Sequence, residues 1–163
     1  GVLVPGGSMC ALPCPAVNSY KRLHAQSSAS GATWSPSLVS WGGNDRTVMV
    51  RVPDAARLEV RLPDMAANPY LLPAAIAAAG LAGAGGKEEG AGVLEAAHVT
   101  RGSPATQLPG NLGEALGALE EDGAMREVLG EEFVGAYLKL RGAHWRSFSS
   151  AVTDWELLHT LHA

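Results

Sequence analysis

Arg57, Glu59 and Arg61 stand two residues apart in the stretch Arg57-Leu58-Glu59-Val60-Arg61-Leu62. Alternation of this kind has the period of an extended strand, so the three charged side chains project from one face while Leu58, Val60 and Leu62 project from the other. A row of cation, carboxylate and cation, with roughly 6 to 7 Å between successive groups, has the charge pattern to hold a phosphate, a metal ion or a carboxylate substrate. The same row also reads as a surface ion-pair ladder of little energetic value.

The flanking residues say how such a row would be positioned. Thr47-Val48-Met49-Val50-Arg51-Val52 predicts a second strand, and Pro53-Asp54-Ala55-Ala56 a hairpin loop of about four or five residues between the two. Parity constrains the pair. For Val48, Val50 and Val52 to share a buried face with Leu58, Val60 and Leu62, even positions must oppose even positions, which puts Arg51 on the polar face with Arg57, Glu59 and Arg61. Three arginines and one glutamate are expected to converge, with Arg46 at the base of the hairpin. Further upstream, Lys21 and Arg22 precede a Ser/Ala/Gly loop, 25–37, that contains Trp34. That pair reads either as two solvated charges or as an anion contact at the base of a mobile flap.

The remaining chain supplies the scaffold. Its 163 residues, 47% hydrophobic and 17% charged, suffice for one domain with a core. A net charge of −4 without any basic run excludes the electrostatic footprint of a nucleic-acid binder. Cys10 and Cys14 cannot make a disulfide framework and no signal peptide is visible, so the cytoplasm is the expected compartment, with an organelle left open. Residues 1–16, broken by Pro5, Gly6, Gly7, Pro13 and Pro15, predict an irregular but buried segment. Residues 40–46 read as a turn-rich approach. Asn68-Pro69 starts a helix over 69–81, bent or weakened by Pro73 and ended by Gly80, Gly83, Gly85 and Gly86. The Ala-rich run 66–86 suits a buried helix better than a membrane span, and the glycines before Lys87 do not complete a phosphate loop. Residues 84–107, including His98, read as an exposed loop or insertion. Asn111 with Glu114 predicts a capped helix, Asp122 a second short one to Gly130, and the stripe Phe133, Val134, Tyr137, Leu138, Trp145, Phe148, Val152 a third to about Thr153. His159 and His162 lack a third ligand for a metal.

Taken together, Asn18-Ser19-Tyr20-Lys21-Arg22-Leu23, Asn44-Asp45-Arg46-Thr47, Arg51-Val52-Pro53, and Arg57 to Asp64 with Ala67-Asn68-Pro69-Tyr70 resemble the C-terminal part of the glutamine synthetase catalytic domain. Leu108-Pro109 with Leu112 to Leu116, and Ala151 to Glu156, look like the same family's C-terminal helices. The resemblance implies an α+β fold: a partial catalytic domain of antiparallel β-hairpins followed by C-terminal helices. It also implies an ATP-dependent ligase that phosphorylates the γ-carboxylate of glutamate and passes the acyl group to ammonia or a small alkylamine. ATP is then a co-substrate, Mg2+ or Mn2+ the metal, and a homo-oligomer the expected assembly. Carried over by position, Glu59 is a metal ligand, Arg46, Arg51 and Arg57 contact ATP, Arg22 and Arg61 hold glutamate, and Arg46 with Arg61 act in catalysis.

Two departures from the family pattern qualify that expectation. Ammonia-using members usually follow Lys-Arg-Leu with a flap carrying a glutamate, whereas this chain continues His24-Ala25-Gln26-Ser27 towards Gly31-Ala32-Thr33-Trp34. This version looks more like the γ-glutamylmethylamide synthetase branch, with Trp34 or Trp41 expected to line an acceptor pocket. The family's N-terminal β-grasp domain and the upstream metal ligands also have no counterpart in these residues, so the chain by itself is expected to be inactive. The alternative reading is a truncated, non-catalytic module that serves assembly only.

Overall fold

The computed structural model describes residues 6–23, 34–85, 94–95 and 106–160. Its sheet is small and mixed. Ser40–Gly42 (β1) pairs in parallel with Val50–Asp54 (β2) on one side and Leu94–Glu95 (β4) on the other, and Arg57–Val60 (β3) runs antiparallel to β2, giving the order β3-β2-β1-β4. The expected α+β architecture is present, with parallel pairs added to the expected hairpin. β1 falls where a turn-rich approach was expected, because the β-forming Val39 and Trp41 outweigh Gly42 and Gly43.

The hairpin has the expected parity: Val50 lies opposite Val60 and Arg51 opposite Glu59. Its loop is shorter than the spacing suggested. β2 continues through Pro53 and Asp54, an irregularity between Arg51 and Asp54 shifts the register, and Asp54 then faces Arg57 across a turn of Ala55 and Ala56. Asp54 closes that turn by accepting the Ala56 amide at 3.0 Å and pairing with Arg57 at 2.8 Å. Burial follows the face only part of the way. Val50 and Leu62 are buried, whereas Leu58 is 63% exposed, because the hairpin tip extends past the core.

Helices Gly6–Met9 (α1), Ser19–Leu23 (α2), Leu71–Gly85 (α3), Leu112–Glu121 (α4), Gly123–Leu129 (α5), Glu131–Ser149 (α6) and Asp154–Thr160 (α7) complete the described chain. Residues 8–15 form the floor of the core, with α1 against α4 and Cys10, Ala11 and Cys14 fully enclosed. Met9, Leu23, Met49, Leu62, Leu112, Leu119, Met125 and Val134 pack around them. Two long-range hydrogen bonds tie that floor to the helices. Tyr137 donates its hydroxyl to the Ala11 carbonyl at 2.7 Å, and Ser8 donates to Asp122 at 2.6 Å.

Helix ends obey the capping signals. Asn111 accepts the Glu114 amide at 2.9 Å while Glu114 reaches back to the Gly110 amide, and Asp122 accepts from Met125 at 3.0 Å before α5 stops at Gly130, whose φ is +90°. α3 starts as expected on Asn68, which accepts from Tyr70 and Leu71, but runs through Gly80 and Gly83 to Gly85. Each glycine costs a helix about 1 kcal/mol; burial of Ala75, Ala78 and Ala79 against α5 offsets that cost. The last helical stripe divides: α6 ends at Ser149, and Thr153 with Glu156 forms a reciprocal cap for α7. Phe148 and Val152 are consequently exposed, while the stripe from Phe133 to Trp145 joins or packs on the core. Of the expected 84–107 loop, Leu94–Glu95 is a strand, and 86–93 and 96–105, with His98, lie outside the described residues, as does His162. No helix among the described residues is long and apolar enough to cross a membrane.

Because the buried Tyr137 hydroxyl donates to the Ala11 carbonyl, Tyr137→Phe is expected to lower stability by about 1 kcal/mol. Leu119→Ala, which opens a cavity at a fully buried position, is expected to cost roughly 2 to 5 kcal/mol. Denaturant titration of both variants measures the two effects.

Candidate active site

Pairing Arg51 with Glu59 across β2 and β3 brings the two side chains together on the polar face, and Arg61, two residues beyond Glu59, joins them. Glu59 uses both oxygens: Oε2 lies 2.6 Å from Arg51 Nη1 and Oε1 lies 2.5 Å from Arg61 Nη1. The arginine side chains are only 17% and 19% exposed, against 40% for Glu59. Each arginine is also anchored from behind. Asn44 Oδ1 accepts from Arg51 Nη2, while Arg61 donates from Nε to the Arg46 carbonyl and from Nη2 to the Trp34 carbonyl, both at 3.1 Å. Hydrogen bonds from Arg51 and then Arg61 hold the Glu59 carboxyl below its usual range.

The other predicted residues are placed differently. Arg57 pairs with Asp54 at the hairpin tip, so two arginines converge on Glu59 instead of three; the register shift ahead of Asp54 separates the tip from the ladder. The Arg46 side chain is exposed, and its backbone carbonyl is what touches the cluster. Arg22 reaches from α2 to the residues just past β3, donating to the Arg61 and Leu62 carbonyls, with its Nε buried and unpartnered. Lys21, beside it, is exposed. The Leu62 carbonyl also accepts from the Cys14 thiol at 3.2 Å. Burial raises the Cys14 pKa to about 12 and that of Cys10 well above its usual value, so neither is a reactive thiolate. Trp34 is exposed beside Arg61, and Trp41 packs on the core from β1. The flap expectation for 25–33 lies outside the described residues.

The acceptors that fix the arginines, the Asn44 side chain and the backbone carbonyls of Trp34, Arg46 and Leu62, are groups to which the sequence reading gave no such part. Asn44 had a signal, a turn residue two positions before Arg46. Backbone carbonyls of Trp34, Arg46 and Leu62 have none, since any residue type supplies one.

Whether these residues fit a divalent metal can be tested on the donor set. Glu59 is a single carboxylate with both oxygens in charge-assisted bonds, and no cluster of three His, Cys, Asp or Glu residues exists among the described residues. A catalytic divalent ion needs more oxygen ligands than that, so the described residues alone do not make a metal site.

Arg51 and Arg61, held by fixed acceptors at one edge of the sheet, are pre-positioned cations. The family profile described as glutamine synthetase, catalytic domain, matches residues 1–160. Glutamine synthetase of Rhizobium leguminosarum bv. phaseoli is 44% identical over 166 aligned residues, covering 99% of this chain and 38% of the relative. Glutamate--methylamine ligase of Methyloversatilis universalis is 40% identical, covering 96% and 36%. The solved structure "GmaS/ADP complex-Conformation 1" superposes with a TM-score of 0.84 at 45% identity, covering 99% of this chain and 39% of its own. The chain belongs to the glutamine synthetase family, as part of its catalytic domain. It spans a little over a third of the length of the relatives it matches.

A carboxylate whose pKa is depressed in the folded state contributes stability that is complete above the ordinary glutamate value and is lost as pH falls through the lower one. The stability difference between the wild type and Glu59→Gln is therefore expected to stay flat down to about pH 5 and to shrink on further acidification. At 40% side-chain exposure it should not exceed about 1 kcal/mol. Denaturation midpoints across a pH series provide the check.

Proposed function

We propose that this chain is the anion-binding wall of an ATP-dependent ligase, which in a protein of the relatives' full length joins glutamate to ammonia or a small alkylamine. The observation that carries this reading is the Arg51–Glu59–Arg61 ladder, set in a chain of this family, with each guanidinium fixed by acceptors other than solvent. Phosphoryl transfer to a carboxylate accumulates negative charge on the transferred group, and pre-positioned cations stabilise that charge without reorganising.

In this reading Arg51 and Arg46 contact the nucleotide phosphates, and Arg61 neutralises the γ-glutamyl phosphate as it forms. Arg22 supports the glutamate side from α2, and Arg57 serves the nucleotide from the hairpin tip. Glu59 contributes one carboxylate to a metal site whose other ligands come from outside these residues. The acceptor is a small amine, and the text between Leu23 and Trp34, without the flap glutamate of ammonia-using members, favours an alkylamine. Assembly into a homo-oligomer belongs to the same proposal.

The test is product analysis. A polypeptide completed to the relatives' length, given ATP, Mg2+, glutamate and either methylamine or ammonia, is expected to release ADP and the corresponding γ-glutamyl amide. Arg61→Ala in that protein should lower kcat by about 100-fold or more. The 163-residue chain alone is expected to yield no amide. No product from the completed protein with any small amine would favour the assembly-only module instead.

A further inference from the structure

Two glycines in the C-terminal helices serve no packing need of the described chain. Gly117 in α4 and Gly135 in α6 each cost their helix about 1 kcal/mol relative to alanine, and a side chain begun at either would meet nothing within 4 Å. Gly113 is different, since a side chain there would collide with the Trp145 indole. The space left open at Gly117 and Gly135 belongs to a groove of about 510 Å³ between α4 and α6. Leu116, Leu138 and Trp145 are its apolar lining, and Arg126, Lys139 and Arg146 face one carboxylate, Glu120. Arg126 is already engaged, by the Glu131 carboxylate and the Glu120 carbonyl. Lys139 and Arg146 have no ion-pair partner among the described residues. They stand three residues before and four after Gly142, hence on its face of the helix. Arg146 folds back over that glycine, with Nη1 3.2 Å from where a side chain at Gly142 would begin.

We propose that the α4–α6 groove is a binding site, separate from the hairpin arginines, for a small organic anion that carries an aromatic ring. The anionic group, a carboxylate or a phosphate, sits over Gly142 between Lys139 and Arg146, and the ring lies on Leu116, Leu138 and Trp145. Charge decides the sign of the ligand: two unpaired cations outweigh the single carboxylate of Glu120. The apolar lining decides its body, because a bare anion would leave Leu116, Leu138 and Trp145 wet, whereas a ring covers them and stacks beside the indole. Glycine at 117 and 135 lets that ring approach the helix backbones closely. The groove is also held to a fixed width. One guanidinium, that of Arg126, ties the end of α4 at the Glu120 carbonyl to the start of α6 at Glu131. Its volume suits a small molecule, for which pockets run from about 300 to 1,000 Å³.

Titration of the full 163-residue chain with phenyl phosphate and with phenylacetate, followed by NMR at the Trp145 indole N–H, tests this, with orthophosphate and acetate as the headgroups alone. At least one ring-bearing probe is expected to bind about tenfold or more tighter than its own headgroup, and which one does so tells a phosphate ester from a carboxylate. Gly117→Leu and Gly135→Leu each fill the open space with a better helix former, so each should keep the fold and weaken that probe about tenfold or more. Arg146→Gln should weaken it about tenfold by removing the charged contact, and still decides the matter if a leucine variant fails to fold. Arg51→Gln, in the hairpin, should leave this affinity unchanged, which keeps the outcome separate from the ligase reading. The proposal is overturned if neither ring-bearing probe binds at millimolar concentration, or if the headgroups bind as tightly. It is equally overturned if affinity is unchanged in the folded leucine variants or in Arg146→Gln, or is lost in Arg51→Gln.

Discussion

Val50 facing Val60 and Arg51 facing Glu59 are one constraint seen from the two sides of a strand pair. Side chains alternate along a strand, so seating Val50 and Leu62 in the core leaves Arg51, Glu59 and Arg61 no choice of face. The hydrophobic effect thus selects the register, and the register assembles the charges. A slip of one residue would put the arginines into the core and the valines into water, at a cost far above anything the ion pairs could return.

The support beneath that strand pair is unusual in its materials. A segment too rich in proline and glycine for a long helix, residues 6–15, is among the most enclosed parts of the described chain. Its backbone polar groups are met by short turns, by the Tyr137 hydroxyl and by the Asp64 amide, which donates to Pro13 at 3.3 Å. Through Pro13 and Cys14 the floor touches Leu62 and Asp64, just past the charged strand, so core and site share a boundary only a few atoms thick. Arg22 lies on that boundary, with both guanidinium ends on the Arg61 and Leu62 carbonyls.

Much of this was legible in the residues. Strict alternation revealed the polar face, Asn111 and Asp122 marked helix starts, and the co-occurrence of four motifs indicated the family. What escaped has physical reasons. β1 and β4 are three and two residues long, too short for periodicity to register. Gly80 and Gly83 looked like helix stops because local propensity was weighed without the burial of the neighbouring alanines. The reciprocal Thr153–Glu156 cap was readable and was hidden by the apolar stripe running across it. In the site, parity correctly predicted Arg51 beside Glu59 but was carried too far along the strand, to Arg57, because alternation holds only while pairing is regular.

That irregularity between Arg51 and Asp54 has a consequence for how chain length can vary. Regular pairing transmits phase: a residue gained or lost anywhere in a hairpin moves every partner beyond it. A bulge absorbs one count locally. With the irregularity placed between the ladder and the tip, the Ala55-Ala56 turn can drift in length across descendants of this sequence while Arg51 and Glu59 stay in step. Below the bulge, towards Val50 and Val60, the same insertion would be lethal to the register, so the hairpin divides into a part that can record evolutionary change and a part that cannot.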